Sequence, residues 1–163
     1  MFDLASYLPY LLNRAGSRIA DSFIEVLRPH DITLTMWRVL AALDHQDGQR
    51  VGQIAALTSI EVSTLSRLID ALERKKLVER RRPGARSAGS DARAVTVHVT
   101  PAGRRLTQQL IPTALDYEAI ALDGFSAAEA AAIKAMLLRL YHNMDRLDAA
   151  APPARRGRTL AAE

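Results

Sequence analysis

Cysteine is absent from the 163 residues of the chain, and its absence excludes disulfide bonds, thiolate nucleophiles and thiolate-bound zinc or iron–sulfur sites. Long apolar runs are also lacking, since none approaches the roughly 20 residues that a membrane-spanning helix needs. The first residues do not have the pattern of a secretion signal. We therefore expect one soluble cytoplasmic domain that does not bind a membrane. Lysine is scarce as well, with three lysines beside nineteen arginines.

Motifs of catalysis and metal binding are missing as well. The four histidines lie far apart and none belongs to an H-E-x-x-H pair, so no metal site is predicted. Ser87 lacks the G-x-S-x-G spacing of a nucleophile elbow, and no glycine-rich phosphate loop is present. We therefore predict that the chain is not an enzyme and needs no cofactor.

Positive charge is concentrated in the middle of the chain. The net charge is +4 overall, whereas residues 61–105 contain eleven basic and five acidic residues, a net charge of +6. Residues 1–60 and 106–163 each have a net charge of −1. This layout makes nucleic acid a candidate partner of the central segment.

Helical periodicity marks both ends of the chain. Residues 6–28 have apolar side chains at the spacing of a helix with one buried stripe. A capping box formed by Ser126 and Glu129 opens a further helix, whose apolar residues follow a heptad pattern over residues 133–147. Such stripes are typical of a core closed within one chain or of pairing with a second copy, and the basic middle favours a homodimer.

Proline marks two features of the C-terminal part. Thr100 and Pro101 are predicted to start a helix, and Pro112 is expected to kink it because proline removes an internal hydrogen bond. Residues 149–163 are rich in proline, glycine, alanine and arginine, a composition that does not build a packed element. We expect a disordered tail there.

Three short helices are predicted in the central segment, over residues 34–43, 51–57 and 62–75. The breaks between them, HQDG and TSI, are short enough for a helix-turn-helix. In the third helix the apolar residues share one side and the polar residues share the other. That polar side carries Ser63, Ser66, Arg67, Asp70 and Arg74.

The polar side of the third helix is suited to DNA. The hydroxyl groups of Ser63 and Ser66 are short enough to approach base edges and phosphates, and Arg67 can make a bidentate contact with guanine. The pattern therefore predicts a recognition helix in a major groove.

Two strands are predicted after this helix, over residues 77–82 and 94–100, joined by the exposed turn PGARSAGSD. Such a hairpin beside a recognition helix is typical of a wing. Arg86 and Arg93 near its tip could enter a narrow minor groove, where the negative potential is enhanced. The alternative is an ordinary basic hairpin on the surface.

Three stretches of the sequence together resemble one known family. They are residues 34–43, the run VSTLSRLIDALERKKLVERR from Val62, and Asp91-Ala-Arg93 followed by VTVHVTPAGRRL from Val95. Over about residues 5–148 the chain resembles the MarR (multiple antibiotic resistance regulator) winged-helix transcription factors. The resemblance implies a mainly α fold with a small β-wing and an obligate dimer. The dimerisation helices would be residues 1–30 and 101–148, and the winged helix-turn-helix lobe residues 31–100.

The same resemblance implies a repressor that binds double-stranded DNA at a pseudo-palindromic operator and releases it when a small molecule binds. It implies groove-facing roles for Ser63, Thr64, Ser66 and Arg67, a minor-groove role for the wing arginine Arg93, and an architectural role for Asp91 in holding the wing. Two departures stand out. Lys76 occupies a position where the family usually has glycine, at a cost of about 1 kcal/mol for a left-handed cap, and the wing tip is several residues longer than usual.

An effector site is also implied, where the first, second and fifth helices of this family converge. The candidates are Arg14, Arg18, Trp37, Arg38 and Tyr117, because a guanidinium beside aromatic rings suits an aromatic carboxylate. The segments LPYLLNRAG and YEAIALDGF are similar to the branch that controls aromatic-acid catabolism, which implies a small aromatic acid, a phenolic compound or an acyl-CoA thioester. Alternatively, Arg14 and Arg18 make ordinary ion pairs and Trp37 belongs to the core.

Two other functions remain open at this stage. A transcriptional activator of the same family has the same sequence features. A nonspecific architectural DNA-binding protein would show a steep salt dependence but little preference for one operator.

Overall fold

A computed structural model describes residues 1–82 and 95–150, with side chains through residue 144. The fold is mainly helical with one small antiparallel sheet, which confirms the predicted fold class. Contacts divide the chain into a first unit, residues 1–121, and a second unit that starts at residue 122. The helices are α1 Leu8–Leu27, α2 Leu34–His45, α3 Val51–Thr58, α4 Val62–Arg74, α5 Pro101–Ala121 and α6 Ala127–Ala150; the strands are β1 Gln49–Arg50, β2 Val78–Arg81 and β3 Thr96–Val99; 3-10 turns cover Leu4–Ser6 and Arg28–His30.

The three central helices lie where the sequence predicts them, within two residues at each end. The side chain of Thr33 caps α2 by accepting a hydrogen bond from the Met36 N–H at 3.2 Å. Ser59 ends α3 in a left-handed conformation, with φ of 56°, and thereby makes the sharp turn into α4. The predicted helix-turn-helix is confirmed.

The core of the first unit lies among α2, α3, α4 and the sheet. Its fully buried side chains come from every one of these elements, and the last turns of α1 and the middle of α5 close it. This core positions α4 rigidly because close-packed side chains leave few alternative arrangements. Its largest fully buried side chains are Leu27, Leu40, Leu43, Ile54, Leu65, Ile69 and Leu72.

The sheet has the order β1-β3-β2. β2 and β3 are the two predicted strands, paired antiparallel with Arg80 opposite Val97. Val97 and Val99 are buried while Thr96 and His98 are half-buried, which confirms the predicted alternation. β1 was not predicted, because a strand of two residues has no pattern of its own and is defined by its pairing with β3. The predicted hairpin tip, residues 83–94, lies outside the described residues.

The exit from α4 and the start of α5 meet at Leu77. Lys76 has a φ of 58°, and the Leu77 N–H donates to the carbonyl of Leu72 at 3.0 Å, which is the pattern of a Schellman cap. The Thr100 hydroxyl donates to the Leu77 carbonyl at 3.1 Å. A Cβ on Gly103 would lie 2.0 Å from that same carbonyl oxygen, so the position requires glycine. The left-handed cap expected at Lys76 is confirmed.

The terminal helices differ from the predicted picture in one respect. The apolar stripe of α1 is buried at Phe23, but Leu8 and Ile19 are 49% and 45% exposed in the single chain. The prediction of one buried stripe therefore holds only for the last turns of α1. α5 is one element that contains Pro112; the kink there stays a prediction.

α6 begins at the predicted capping box. The Ser126 N–H donates to the Glu129 carboxylate at 2.9 Å, and the Glu129 N–H donates to the Ser126 hydroxyl at 3.3 Å. Backbone and hydroxyl donors of Ser126 lower the pKa of Glu129. The helix extends to Ala150, two residues into the segment expected to be disordered, and residues 151–163 lie outside the described residues.

Candidate nucleic-acid interface

α4 packs on the core by its apolar side. Leu65, Ile69 and Leu72 are fully buried, and the preceding turn is anchored by the buried side chain of Ile60. The opposite side of the helix therefore faces solvent, because a helix that buries one stripe exposes the other.

The four residues expected to face a DNA groove lie on the accessible side of α4. Ser63, Thr64 and Arg67 are exposed and Ser66 is half-buried. The Ser63 hydroxyl donates to the Glu61 carboxylate, and the Ser66 hydroxyl donates to the carbonyl of Val62 at 3.0 Å. The Ser63 and Ser66 hydroxyl protons are thus used within α4 and its cap, and Arg67 is the exposed member of the set that carries a guanidinium.

Glu61 caps the N-terminus of α4. Its carboxylate accepts from the Ser63 hydroxyl and from the Thr64 N–H at 3.0 Å. The Ser63 hydroxyl first, and then the backbone N–H groups of Ser63 and Thr64, lower the pKa of Glu61. A negative charge therefore occupies the helix end that would otherwise attract a phosphate. If α4 contacts a phosphate of DNA, the donors are therefore side chains and not the backbone N–H groups at the N-terminus of the helix.

The base of the wing adds basic residues beside this helix. Arg81 and Arg82 are exposed at the end of β2, and Arg81 Nε donates to Glu79 Oε1 at 2.8 Å. Sequence reasoning did not single them out, although the run of three arginines was visible. Three of the predicted site residues, Arg86, Asp91 and Arg93, lie outside the described residues.

Arg80 is a further residue that was not predicted as part of the site. Its side chain is 28% exposed and pairs with Asp70 and Glu73 of α4. The alternation of β2 could have revealed it, because residues two apart on a strand share a face. Arg80 therefore lies on the same face as the buried Val78.

Asp47, in the turn between α2 and β1, ties that turn to the wing and to α5. Its Oδ1 accepts from the Val99 N–H at 2.8 Å, and its Oδ2 lies 3.2 Å from His98 Nδ1 and 4.0 Å from Arg104 Nη2. Burial by itself raises the pKa of Asp47, but the hydrogen bonds from Val99, His98 and Gly48 and the charge of His98 outweigh it and lower the pKa. The carboxylate is the form that this site stabilises.

The candidate effector residues fall into separate groups. Trp37 and Tyr117 both contact Phe23, with ring centroids 5.5 and 5.8 Å away. Trp37 and Arg38 also line a pocket of about 450 Å³ between α2 and α3, together with His45 and Leu57. Arg14 and Arg18 lie on the exposed side of α1, and neither they nor Tyr117 line this pocket.

Metal-binding clusters and membrane-spanning helices are both absent from residues 1–82 and 95–150. No group of three or more His, Asp or Glu residues in these ranges could hold a metal ion. No helix in the same part of the chain is long and apolar enough to cross a membrane.

A helix-turn-helix followed by a two-stranded wing is the architecture of winged-helix DNA-binding proteins, and comparison with known proteins agrees. A MarR family model matches residues 30–87. A MarR-family transcriptional regulator from Silicibacter pomeroyi is 30% identical, with a TM-score of 0.74 over 86% of this chain and 92% of that chain. The HTH-type transcriptional regulator YsmB of Bacillus subtilis (strain 168) is 29% identical over 75% of this chain and 80% of its own length.

CouR from Rhodococcus jostii RHA1, solved with bound p-coumaroyl-CoA, has a TM-score of 0.74 over 86% of this chain and 95% of that chain. At 20% identity it shows the fold alone. The 30% identity to the Silicibacter pomeroyi regulator over most of both chains, together with the family model, shows that the chain belongs to the MarR family of transcriptional regulators.

Proposed function

We propose that the chain is a homodimeric repressor that binds a pseudo-palindromic operator in double-stranded DNA and is released by a small effector. The observation that carries the proposal is the exposed polar side of α4, whose opposite side is fixed by Leu65, Ile69 and Leu72 in the core. A rigidly held helix with an outward guanidinium can enter a major groove and read it.

Within this proposal each basic group has its own task. Arg67 reads a guanine at one position of each half-site, with Ser63, Thr64 and Ser66 close to bases and phosphates. Arg86 and Arg93 of the wing contact the neighbouring minor groove, where recognition depends mainly on groove width and potential.

A homodimer is supported by apolar side chains that the single chain leaves exposed. Leu8 and Ile19 of α1 are about half exposed, as are Leu137 and Met144 of α6 considered by itself. A second copy that covered these helices would supply the burial that their spacing predicts. It would also place two recognition helices about 34 Å apart, the distance between successive major grooves on one face of DNA. In this assignment residues 1–30 and 101–148 dimerise and residues 31–100 bind DNA.

The DNA part of the proposal is tested by selection from a random duplex pool followed by binding titrations. We expect the wild type to enrich a palindromic sequence. Arg67→Ala should weaken binding to it by about 10- to 100-fold and relax selectivity at one half-site position. Arg93→Ala should weaken binding to all sequences similarly and reduce the salt slope by about 1.

The matched control is Arg139→Ala, on the exposed surface of α6, which should bind like the wild type. Enrichment of no sequence by the wild type, with equal binding to operator and random duplex, would instead favour the architectural DNA-binding protein. A reporter gene behind the selected operator separates a repressor from an activator by the sign of the change.

For the effector we propose a small aromatic acid, a phenolic compound or the corresponding CoA thioester. The pocket at Trp37 and Arg38 supports this class, because its volume of about 450 Å³ suits a small ligand and it combines an indole ring with a guanidinium. CouR, a neighbour of the same fold, is described with p-coumaroyl-CoA. Arg14, Arg18 and Tyr117 remain candidates for the same site in the dimer.

The effector is tested by titrating p-coumarate, benzoate and p-coumaroyl-CoA against the protein–operator complex. At least one should lower operator affinity by about tenfold or more, which corresponds to a coupling free energy of about 1.4 kcal/mol. Arg38→Ala and Arg14→Ala should keep DNA binding and lose part of the response, with Arg139→Ala as control. Unchanged responses in both variants would remove these arginines from the site.

A further inference from the structure

Arg80 connects the wing to the recognition helix at several points. Its Nη1 donates to Asp70 Oδ1 at 2.6 Å and to the Glu73 carboxylate, and its Nη2 donates to the carbonyl of Ser66 at 3.2 Å. The backbone N–H of Arg80 donates to Glu73 Oε1 at 2.8 Å. Ser66, Asp70 and Glu73 follow each other at helical spacing, so one residue of β2 holds two turns of α4 along one face.

The sheet holds the backbone of Arg80, while α4 holds its guanidinium. Arg80 pairs with Val97 of the central strand β3, and its neighbour Val78 on the same face is buried. The planar guanidinium makes its hydrogen bonds in a fixed fork, which defines the direction as well as the distance of its partners. The rotation of α4 about its own axis is therefore tied to the sheet.

Charge gives the contact a second consequence. Asp70 and Glu73 are the acidic residues within α4, and free carboxylates there would repel the phosphates of an approaching duplex. Arg80 compensates part of that charge. Both of its terminal nitrogens already donate to α4 and only 28% of its side chain is exposed, so it is poorly placed to bind a phosphate itself.

We propose that Arg80 is a positioning residue for DNA recognition, which acts through α4 and not by touching DNA. Arg80 binds the carbonyl of Ser66 and thereby orients the helix so that the next residue, Arg67, points at the base edges. The DNA part of this inference rests on the proposed function; the hold on α4 does not.

The test compares Arg80→Met, Arg80→Lys and the control Arg81→Met on the opposite face of the same strand, where Arg81 pairs with Glu79. Binding is measured to the selected operator and to a scrambled duplex over a range of salt concentrations. Amide hydrogen exchange is measured on the free proteins. Circular dichroism confirms that each variant is folded at the assay temperature.

For Arg80→Met we expect operator affinity to fall 10- to 100-fold, affinity for scrambled duplex to change less than about threefold, and the salt slope to stay unchanged. Arg80→Lys should restore little, because an ammonium cannot make the fork. Amides of residues 66–74 should exchange at least tenfold faster while those of α2 keep their rates. Arg81→Met, at a basic residue of the wing base, should change binding to operator and scrambled duplex by the same factor, so that the operator preference and the exchange of α4 stay unchanged.

Two results would overturn the proposal. A salt slope lower by about 1 with full rescue by Arg80→Lys would make Arg80 a phosphate contact. Unchanged exchange in α4 together with an unchanged operator preference would leave it without a positioning role. If the wild type selects no operator, the proposed function fails, and hydrogen exchange alone still decides whether Arg80 holds α4.

Discussion

The winged-helix part of the chain and its terminal helices both have apolar residues at helical spacing, but these residues are buried in the first and largely exposed in the second. Leu40 of α2 and Leu65 of α4 are completely buried, whereas Leu8 of α1 and Leu137 of α6 are 49% and 42% exposed. The first pair is covered by partner elements within its own unit, whereas each member of the second pair keeps more than two fifths of its surface exposed. An apolar stripe thus shows that a helix has a face to bury, but not which molecule supplies the partner.

The largest effect on stability is expected in the winged-helix part, where the apolar side chains are buried within the chain. Leu40→Ala removes a fully buried side chain and should lower the free energy of unfolding by about 2–5 kcal/mol, the usual cost of the lost contacts and the remaining cavity. Urea denaturation followed by circular dichroism measures it. The matched control, Leu138→Ala, should change a monomer by less than about 0.5 kcal/mol. Equal losses in both variants would contradict the contrast between the two regions.

The exposed stripe is expected to be covered in a dimer, and Leu137→Glu tests this. Leu137 belongs to the heptad stripe of α6 and is 42% exposed in the single chain. A carboxylate there should raise the dimer dissociation constant at least about 100-fold, because burial of an unpaired charge costs several kcal/mol. Analytical ultracentrifugation measures the constant.

Leu138→Glu, the same change one residue later and off the stripe, is the control for Leu137→Glu and should disturb the dimer less. A wild type that stays monomeric at high concentration would contradict the dimer. It would also leave the exposed stripes of α1 and α6 without the partner that we propose.

The accuracy of sequence prediction follows the same division between regions. The central helices and the strand alternation at Val97 and Val99 were predictable because local spacing determines them. The left-handed cap at Lys76 was expected only from the resemblance to a family that usually has glycine at this position. The exposure of Ile19 was not, since an apolar residue in a periodic stripe looks the same whether its partner lies in the same chain or in another.

The candidate site shows the same limit. The accessible positions Ser63 and Arg67 on α4 followed from one helical pattern. Arg80 did not, because alternation along β2 places it on the face of the buried Val78 but does not indicate that it pairs with a helix earlier in the chain. Asp47 was missed for a similar reason, as its partners Val99 and His98 lie about fifty residues away in sequence.

The polar contacts by which Asp47 joins the turn before β1 to β3 and α5 are tested by Asp47→Asn. The pKa of Asp47 is lowered in the folded state, so its carboxylate contributes stability above its unfolded pKa of about 3.9, and this contribution is lost as pH falls through the lower folded value. At pH 7 we expect a loss of about 1 kcal/mol, because the site is partly exposed and asparagine keeps an acceptor for the Val99 N–H. Urea titrations should show the difference from wild type disappearing as pH falls through the lowered folded pKa of Asp47. A difference that grows on acidification would contradict the assignment.

The smallest expected effect concerns the strained backbone of Lys76, just after α4. Lys76 has a φ of 58°, a conformation that costs an L-residue with a Cβ about 1 kcal/mol relative to glycine. Lys76→Gly should therefore raise the free energy of unfolding by about 0.5–1 kcal/mol, reduced by the greater freedom of glycine in the unfolded chain. Lys76→Ala is the control, because it removes the same charged side chain but keeps the Cβ. If Lys76→Ala stabilises the protein as much as Lys76→Gly, the cause is removal of the positive charge beside Lys75. The backbone of the cap at the end of α4 would then not be strained.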